Sequence, residues 1–173
     1  MGDRMKLKVL IGRDEIRKKV KELAEKISKD YEGKIPVLVG ILDGSIVFLS
    51  DLIRELKIPV EIDFVKIKSY TGMESGEPEI KLDIERDIEG RDVIIVEDII
   101  DTGATLNFLK NRLLKRRPAS LKICAFLDKP ERRKVDIIAD YVGFEIPDVF
   151  VVGYGLDVDG RFRELPDIHY VEV

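Results

Sequence analysis

Hydrophobic positions along the chain follow two different rhythms. From Asp14 to Tyr31, the residues Ile16, Val20, Leu23, Ile27 and Tyr31 recur at spacings of four, three, four and four, with Lys and Glu between them. That period predicts an amphipathic helix, and Gly33 is a fitting stop. Ile35 to Leu42 is instead an unbroken apolar run, the pattern of a strand covered on both faces, as in a parallel sheet. Asp43-Gly44 then turns the chain into a helix over about Ser45 to Lys57. After Pro59 a strand is expected over Val60 to Lys68. The pattern fails from Ser69 to Pro78, where turn formers dominate, and returns as a strand over Glu79 to Ile84. Asp92 to Val96 opens another apolar strand. Thr102 to Lys115 follows as a helix with Leu106, Leu109 and Leu113 on one side. Lys115-Arg116-Arg117 suits the negative end of its dipole, and Pro118 forbids continuation. Ala119–Leu127, Ile137–Val142 and Val149–Val152 read as the last strands. Helices alternating with buried strands predict an α/β protein with a central, mainly parallel sheet flanked by helices. Sites in such sheets lie beyond the carboxyl ends of the strands.

The most informative stretch is Val93 to Leu106. A buried strand emerges into two adjacent carboxylates, Glu97 and Asp98, and Asp101 then opens a Thr102-Gly103-Ala104-Thr105 turn onto a helix. The turn offers backbone N–H groups, two hydroxyls and the positive end of a helix dipole, which together favour an anion. The neighbouring carboxylates would repel a phosphate, so they need another partner. Ribose hydroxyls are donors, and a sugar phosphate satisfies the whole group. A plain reading of Asp101-Thr102 as a helix cap and Glu97-Asp98 as a solvated loop leaves this coincidence unexplained. No Gly-x4-Gly-Lys-Ser/Thr and no Gly-x-Gly-x-x-Gly motif occurs.

Composition narrows the chemistry further. With 173 residues the chain is the size of one domain and needs no staples to build a core. Lys and Arg number 30 against 34 Asp and Glu, a net charge of −4, which argues against nucleic acid held mainly by charge. Charged residues make up 37% of the chain, yet 45% is hydrophobic, so it should fold. One cysteine, Cys124, rules out an internal disulfide and a cysteine-rich zinc site, and one histidine, His169, rules out paired-histidine metal motifs. Chemistry should therefore rest on carboxylates, Lys, Arg and backbone amides. No apolar run reaches the roughly 18 to 20 residues that span a bilayer, and Met1 to Leu10 lacks a signal-peptide core, so the expectation is a cytoplasmic protein with no membrane partner.

Val96-Glu97-Asp98-Ile99-Ile100-Asp101-Thr102-Gly103-Ala104-Thr105 resembles the phosphoribosyl-pyrophosphate (PRPP) motif of the type I phosphoribosyltransferases. More narrowly, the chain resembles their hypoxanthine–guanine branch. Leu42-Asp43-Gly44-Ser45 falls where that branch has its pyrophosphate loop, and Ser69-Tyr70 begins the segment of its lid, about 69–78. Lys129, Phe150 to Asp157 and Phe162-Arg163-Glu164-Leu165 resemble its purine pocket and C-terminal segment.

The resemblance implies transfer of the phosphoribosyl group from PRPP to a 6-oxopurine, with Mg²⁺ as cofactor. It implies that Asp101 takes the proton of purine N7, and that Glu97 and Asp98 bind the ribose hydroxyls directly or through the metal. Thr102, Gly103, Ala104 and Thr105 would hold the 5′-phosphate; Asp43, Gly44, Ser45 and Arg163 the pyrophosphate. Lys129 would donate to the purine 6-oxygen, Phe150 would stack on the ring and Val151 would read its edge through the backbone. Asp157, at the same pocket, would be a further Mg²⁺ ligand. A single domain over 1–173 follows, with a core of about 14–142 and a small hood from about 1–13 and 143–173, assembled as a homodimer or homotetramer. Many members carry Lys or Arg where this chain has Asp43, and in that family the preceding peptide can be cis; the Leu42–Asp43 bond is expected to be cis here. Two alternatives stay open: a xanthine-preferring sibling, and an RNA-binding regulator on the same fold, which the charge disfavours.

Overall fold

The computed structural model describes residues 5–69 and 77–172. Its main sheet has six strands in the order β4-β3-β2-β5-β6-β7: β2 (Val37–Leu42), β3 (Glu61–Lys68), β4 (Glu79–Leu82), β5 (Asp92–Ile100), β6 (Ser120–Asp128) and β7 (Tyr141–Glu145). All neighbours run parallel except β3 and β4. Helices α1 (Arg13–Asp30) and α2 (Ile46–Glu55) cover one face, and α3 (Ala104–Leu114) covers the other. The predicted stripe of α1 is the buried one: Ile16, Val20, Leu23 and Ile27 are each at most 3% exposed. Alternation within β5 divides the core, since Ile94 and Val96 face α1 and α2 while Val93 and Ile95 face α3. Cys124 is a buried core residue of β6, its thiol pushed up to about 12 by burial.

Topology sets the place of the site. From β2 the chain steps to β3 and β4 on one side, then returns to lay β5 on the other side of β2. The strand order therefore reverses between β2 and β5, and a crevice opens at the carboxyl end of such a pair. β2–β5 pairing ends at Gly40 with Val96, while β5 continues beside β6 as far as Ile100.

A second sheet, β1-β9-β8, joins the chain ends: β1 (Lys6–Ile11), β8 (Val151–Val152) and β9 (Ile168–Glu172), all antiparallel. Sequence periodicity had not marked β1 or β9. Several boundaries also differ: α2 is shorter than Ser45–Lys57, β4 ends at Leu82 rather than Ile84, β8 starts at Val151 rather than Val149, and three differences bear on the site. β5 does not stop at Val96 but runs through both carboxylates. The third helix starts at Ala104 rather than Thr102, because Gly103 has φ +87°, outside the helical region. The strand expected over Ile137–Val142 is β7, starting at Tyr141. Ile137 is instead packed where a Gly103 side chain would be, 2.7 Å from the position of a Cβ there. Asp140 ends that irregular stretch by accepting the Ile123 N–H at 2.8 Å. No described helix is long and apolar enough to cross a membrane.

Candidate active site

The two carboxylates of the acidic run sit at the open end of β5. Glu97 is 9% exposed and Asp98 half-buried. Each carboxylate accepts the next residue's N–H, Asp98 N to Glu97 Oε1 at 3.0 Å and Ile99 N to Asp98 Oδ1 at 2.7 Å. Burial, then the adjoining charge of Asp98, pushes Glu97 well above the usual carboxylate range. Burial raises Asp98 too, opposed by its hydrogen bonds from Glu97 and the Ile99 amide and by the field of Arg163. Both carboxylates are therefore held above the usual range, Glu97 the more strongly.

Beyond it, Asp101, Thr102, Gly103 and Thr105 line a cleft of about 180 Å³ together with Glu97 and Asp98. Gly103 caps α3 without any side-chain acceptor, so the first-turn amides are left open to a ligand. The exception is Ala104 N, which donates to Thr102 Oγ1 at 3.3 Å. A Cβ on Gly103 would also meet Arg133 Cδ at 3.0 Å and Val135 Cγ2 at 3.1 Å, so this turn needs glycine on both conformational and steric grounds. Asp101 differs from its neighbours: its side chain is 48% exposed and accepts from Arg132 Nε at 2.9 Å.

The loop after β2 rests directly on the acidic pair. The Leu42–Asp43 peptide is cis, as expected. A Cβ on Gly44 would stand 1.9 Å from Asp98 Oδ2, and one on Gly155 would stand 2.3 Å from the Gly44 carbonyl oxygen. Gly155 thus packs backbone to backbone on Gly44, and Gly44 packs on the Asp98 carboxylate. Ser45 is fully buried at the start of α2, and its hydroxyl has no partner. Asp43 points outward and accepts from Lys66 at 3.2 and 3.3 Å. Arg163 donates to the Gly155 carbonyl at 2.6 Å and lies 3.3 Å from Asp157, whose other oxygen accepts the Gly160 N–H.

Lys129 follows β6 directly, and its N–H donates to the Ile100 carbonyl, one residue before Asp101. Its place in a charged run, Lys129 to Lys134, suggests a solvated lysine, yet it is 7% exposed. Among the described residues its ammonium has no hydrogen-bond acceptor, the nearest carboxylate being Asp148 at 4.0 Å. Phe150, in an apolar run that reads as core, is 53% exposed, while Val151 beside it is buried in β8. Ser69 is exposed just past β3; Tyr70 and most of the 69–78 stretch lie outside the described residues. Among the described residues no three Asp, Glu, His or Cys side chains converge as a metal cage, and Asp157 is engaged with Arg163 rather than with Glu97 and Asp98.

The phosphoribosyl transferase domain family matches residues 12–159. The chain belongs to this family. It is 48% identical over 163 residues to the hypoxanthine-guanine phosphoribosyltransferase of Bacillus subtilis, covering 93% of this chain and 91% of that protein. The enzyme of the same name from Aquifex aeolicus is 48% identical over 170 residues, 96% of each chain. A crystal structure of a hypoxanthine-guanine phosphoribosyltransferase from Bacillus anthracis superposes with a TM-score of 0.93 at 48% identity, covering 98% of this chain and 100% of that one.

Sequence reasoning overlooked several residues of this phosphoribosyltransferase. Arg132 and Asp148 connect Asp101 to Lys129: Arg132 Nε reaches Asp101, and its NH1 lies 3.8 Å from Asp148, which faces Lys129. Arg132 comes three residues after Lys129, in the run read as a solvated loop. Tyr154 donates to Asp51 of α2 at 2.6 Å, tying the Gly153–Gly155 turn to the main body. Tyr154 and Asp51 are 103 residues apart, so no local pattern could announce them.

Proposed function

We propose that this phosphoribosyltransferase is a purine-salvage enzyme that moves the 5-phosphoribosyl group from PRPP to a 6-oxopurine, hypoxanthine or guanine, giving IMP or GMP and pyrophosphate. The observation that carries the choice of base is Lys129, largely buried beside the turn that starts at Asp101, with Asp148 no closer to its ammonium than 4.0 Å. An ammonium only donates. It pairs with the oxo group of hypoxanthine or guanine and leaves the amino group of adenine without an acceptor. The names of the relatives above agree with this reading.

In this mechanism the ribose 5′-phosphate lies on the open amides and hydroxyls of Thr102 to Thr105. The ribose hydroxyls donate to Glu97 and Asp98. Asp101 accepts the N7 proton as the base attacks the anomeric carbon. Phe150 offers an exposed ring face for stacking, and the Val151 backbone meets the edge of the base. The amides of Asp43, Gly44 and Ser45, together with Arg163, receive the pyrophosphate; the arginine fork matches two phosphate oxygens at once. Mg²⁺ fits the donor chemistry, because Glu97, Asp98 and Asp157 are hard oxygen donors and, among the described residues, no cation lies at contact distance from the Glu97–Asp98 pair. When bound, the metal would neutralise charge on the leaving group. Ser69 and Tyr70 would start the lid that excludes water, and the working unit would be a homodimer or homotetramer.

The test is a turnover panel with PRPP and hypoxanthine, guanine, xanthine and adenine, run with Mg²⁺ and with a chelator. Turnover of 6-oxopurines that needs the metal and spares adenine is expected. Equal use of adenine, or no turnover with any 6-oxopurine, would overturn the reading.

A further inference from the structure

Past β8 the chain leaves the second sheet and folds on itself. Gly153, Tyr154 and Gly155 take positive φ in succession, +95°, +50° and +97°, a region that a tyrosine seldom adopts. From this turn the Gly155 N–H donates to the Arg163 carbonyl at 2.9 Å, and the Arg163 guanidinium donates back to the Gly155 carbonyl at 2.6 Å. Arg163 is thus tied to the turn through both its backbone and its side chain, and its charge acts on Asp98. Among the described residues, the hydrogen bonds of residues 153–165 all close within that stretch, with one exception. The exception is the Tyr154 hydroxyl, which donates to Asp51 Oδ2 at 2.6 Å, while Arg54 holds Oδ1 of the same carboxylate at 2.7 Å. Burial first, then the bond to Asp51, raises the Tyr154 hydroxyl above its ordinary range, so it stays a donor.

Asp51 belongs to α2, the helix that begins at the Asp43-Gly44-Ser45 loop. The two sources of pyrophosphate donors, the loop amides and Arg163, therefore sit on separate pieces of chain, and among the described residues this hydrogen bond is the polar link between them. Gly155 against Gly44 limits how close the two pieces come but attracts neither. The Tyr154 ring packs on Phe126, with centroids 5.0 Å apart, which holds the turn down without setting its register along α2. Behind the link lies a cavity of about 700 Å³ whose lining includes Asp51, Tyr154 and Arg163, so no packed side chain backs the arginine from that side. We infer that the Tyr154–Asp51 hydrogen bond positions Arg163 against the pyrophosphate loop. Both are positioning residues that act through Arg163. The purine side of the same segment is held independently, because Val151 and Val152 pair with Tyr170 and His169 of β9. The inference rests on the function proposed above and adds to it two residues outside the PRPP motif.

The experiment compares Tyr154→Phe, Asp51→Ala, Asp51→Asn, the double variant Tyr154→Phe with Asp51→Ala, and Arg54→Ala. Two readouts are taken, calorimetric binding of pyrophosphate with Mg²⁺, and the KM for PRPP against the KM for hypoxanthine. Tyr154→Phe and Asp51→Ala should each weaken pyrophosphate binding and raise the PRPP KM by about five- to tenfold, the scale of one hydrogen bond to a charged group. The hypoxanthine KM should stay within about twofold, a split that general loosening of the fold would not give. The double variant should be no worse than either single one, because both remove the same link. Asp51→Asn, whose amide oxygen still accepts, should bind within about twofold of wild type, and Arg54→Ala should match wild type. Asp51 is 38% exposed, so its variants carry the test even if Tyr154→Phe melts well below wild type. Unchanged pyrophosphate binding in Asp51→Ala, additive losses in the double variant, or a hypoxanthine KM that rises with the PRPP KM overturns the inference. A protein that binds pyrophosphate through this link but transfers nothing to any purine would overturn the parent function and leave the inference standing.

Discussion

Glu97 and Asp101 are four residues apart on one continuous stretch, yet they live under opposite conditions. Glu97 is buried beside a second carboxylate, with no cation within salt-bridge distance among the described residues, and burial drives it toward its protonated form. Asp101 has left the sheet, is about half exposed and is matched by Arg132. The strand accounts for the first: β5 stays paired with β6 through Ile100, which keeps Glu97 inside. The glycine turn accounts for the second, because Gly103 starts α3 late and leaves Asp101 at the rim. Residue type alone does not set what a carboxylate does. Whether the ladder still holds it decides between a group that waits for a ligand to balance it and one already balanced by the protein.

The comparison can be broken from its catalytic side first. Asp101→Asn keeps the shape and removes the proton acceptor, so kcat/KM with hypoxanthine should fall by about 10² to 10⁴. Its melting temperature should barely move, because an exposed ion pair contributes at most about 1 kcal/mol. A large drop in melting temperature would mean that Asp101 is mainly structural. Next comes Lys129→Met, which fills the same space without a donor. Steady-state kinetics should show a loss of about 10- to 100-fold for hypoxanthine, the scale of a charged hydrogen bond, with discrimination against adenine much reduced.

Glu97→Gln sharpens the other half. A carboxyl raised on folding binds its proton more tightly in the native than in the unfolded chain, so stability declines as pH climbs from the ordinary carboxylate range toward the raised value. Below that range wild type and variant should unfold alike in urea. Above it the amide, which cannot ionise, should make the unliganded variant more stable by about 1–2 kcal/mol, while transfer activity is lost. An equal difference at every pH would contradict the burial argument. The smallest effect belongs to Arg132→Ala. Loss of an exposed partner should change stability by less than about 1 kcal/mol and kcat/KM only severalfold, read in the same two assays.

The acidic motif and its phosphate loop were legible because everything they need is contiguous: a buried strand, two acids, a third acid and a glycine turn. The stripe of α1 was legible for the same reason. What escaped depends on distance along the chain. β1 and β9 are short, partly exposed strands that stabilise each other across the whole sequence, as in the pairing of Lys6 with Glu172. Neither shows a strong period of its own. Lys129 looked solvated because its neighbours are charged, and its burial comes from the surrounding fold. Ile137 looked like strand because it is apolar, but it fills the space beside Gly103. Asp43 looked like a misfit until β3 was laid beside β2.

The stacking of Gly155 on Gly44, and of Gly44 on Asp98, has a consequence for redesign. Two hydrogen atoms act as the spacers of the whole crevice, since a methyl in either place would come within 2.3 Å of its neighbour. At Gly155 the neighbour is backbone and cannot move aside, whereas at Gly44 it is the Asp98 carboxylate, which a side chain there would displace from its place in the acidic pair. Adaptation of this scaffold to a different leaving group or base has to be sought at the rim, where Arg132 and Phe150 have room to change.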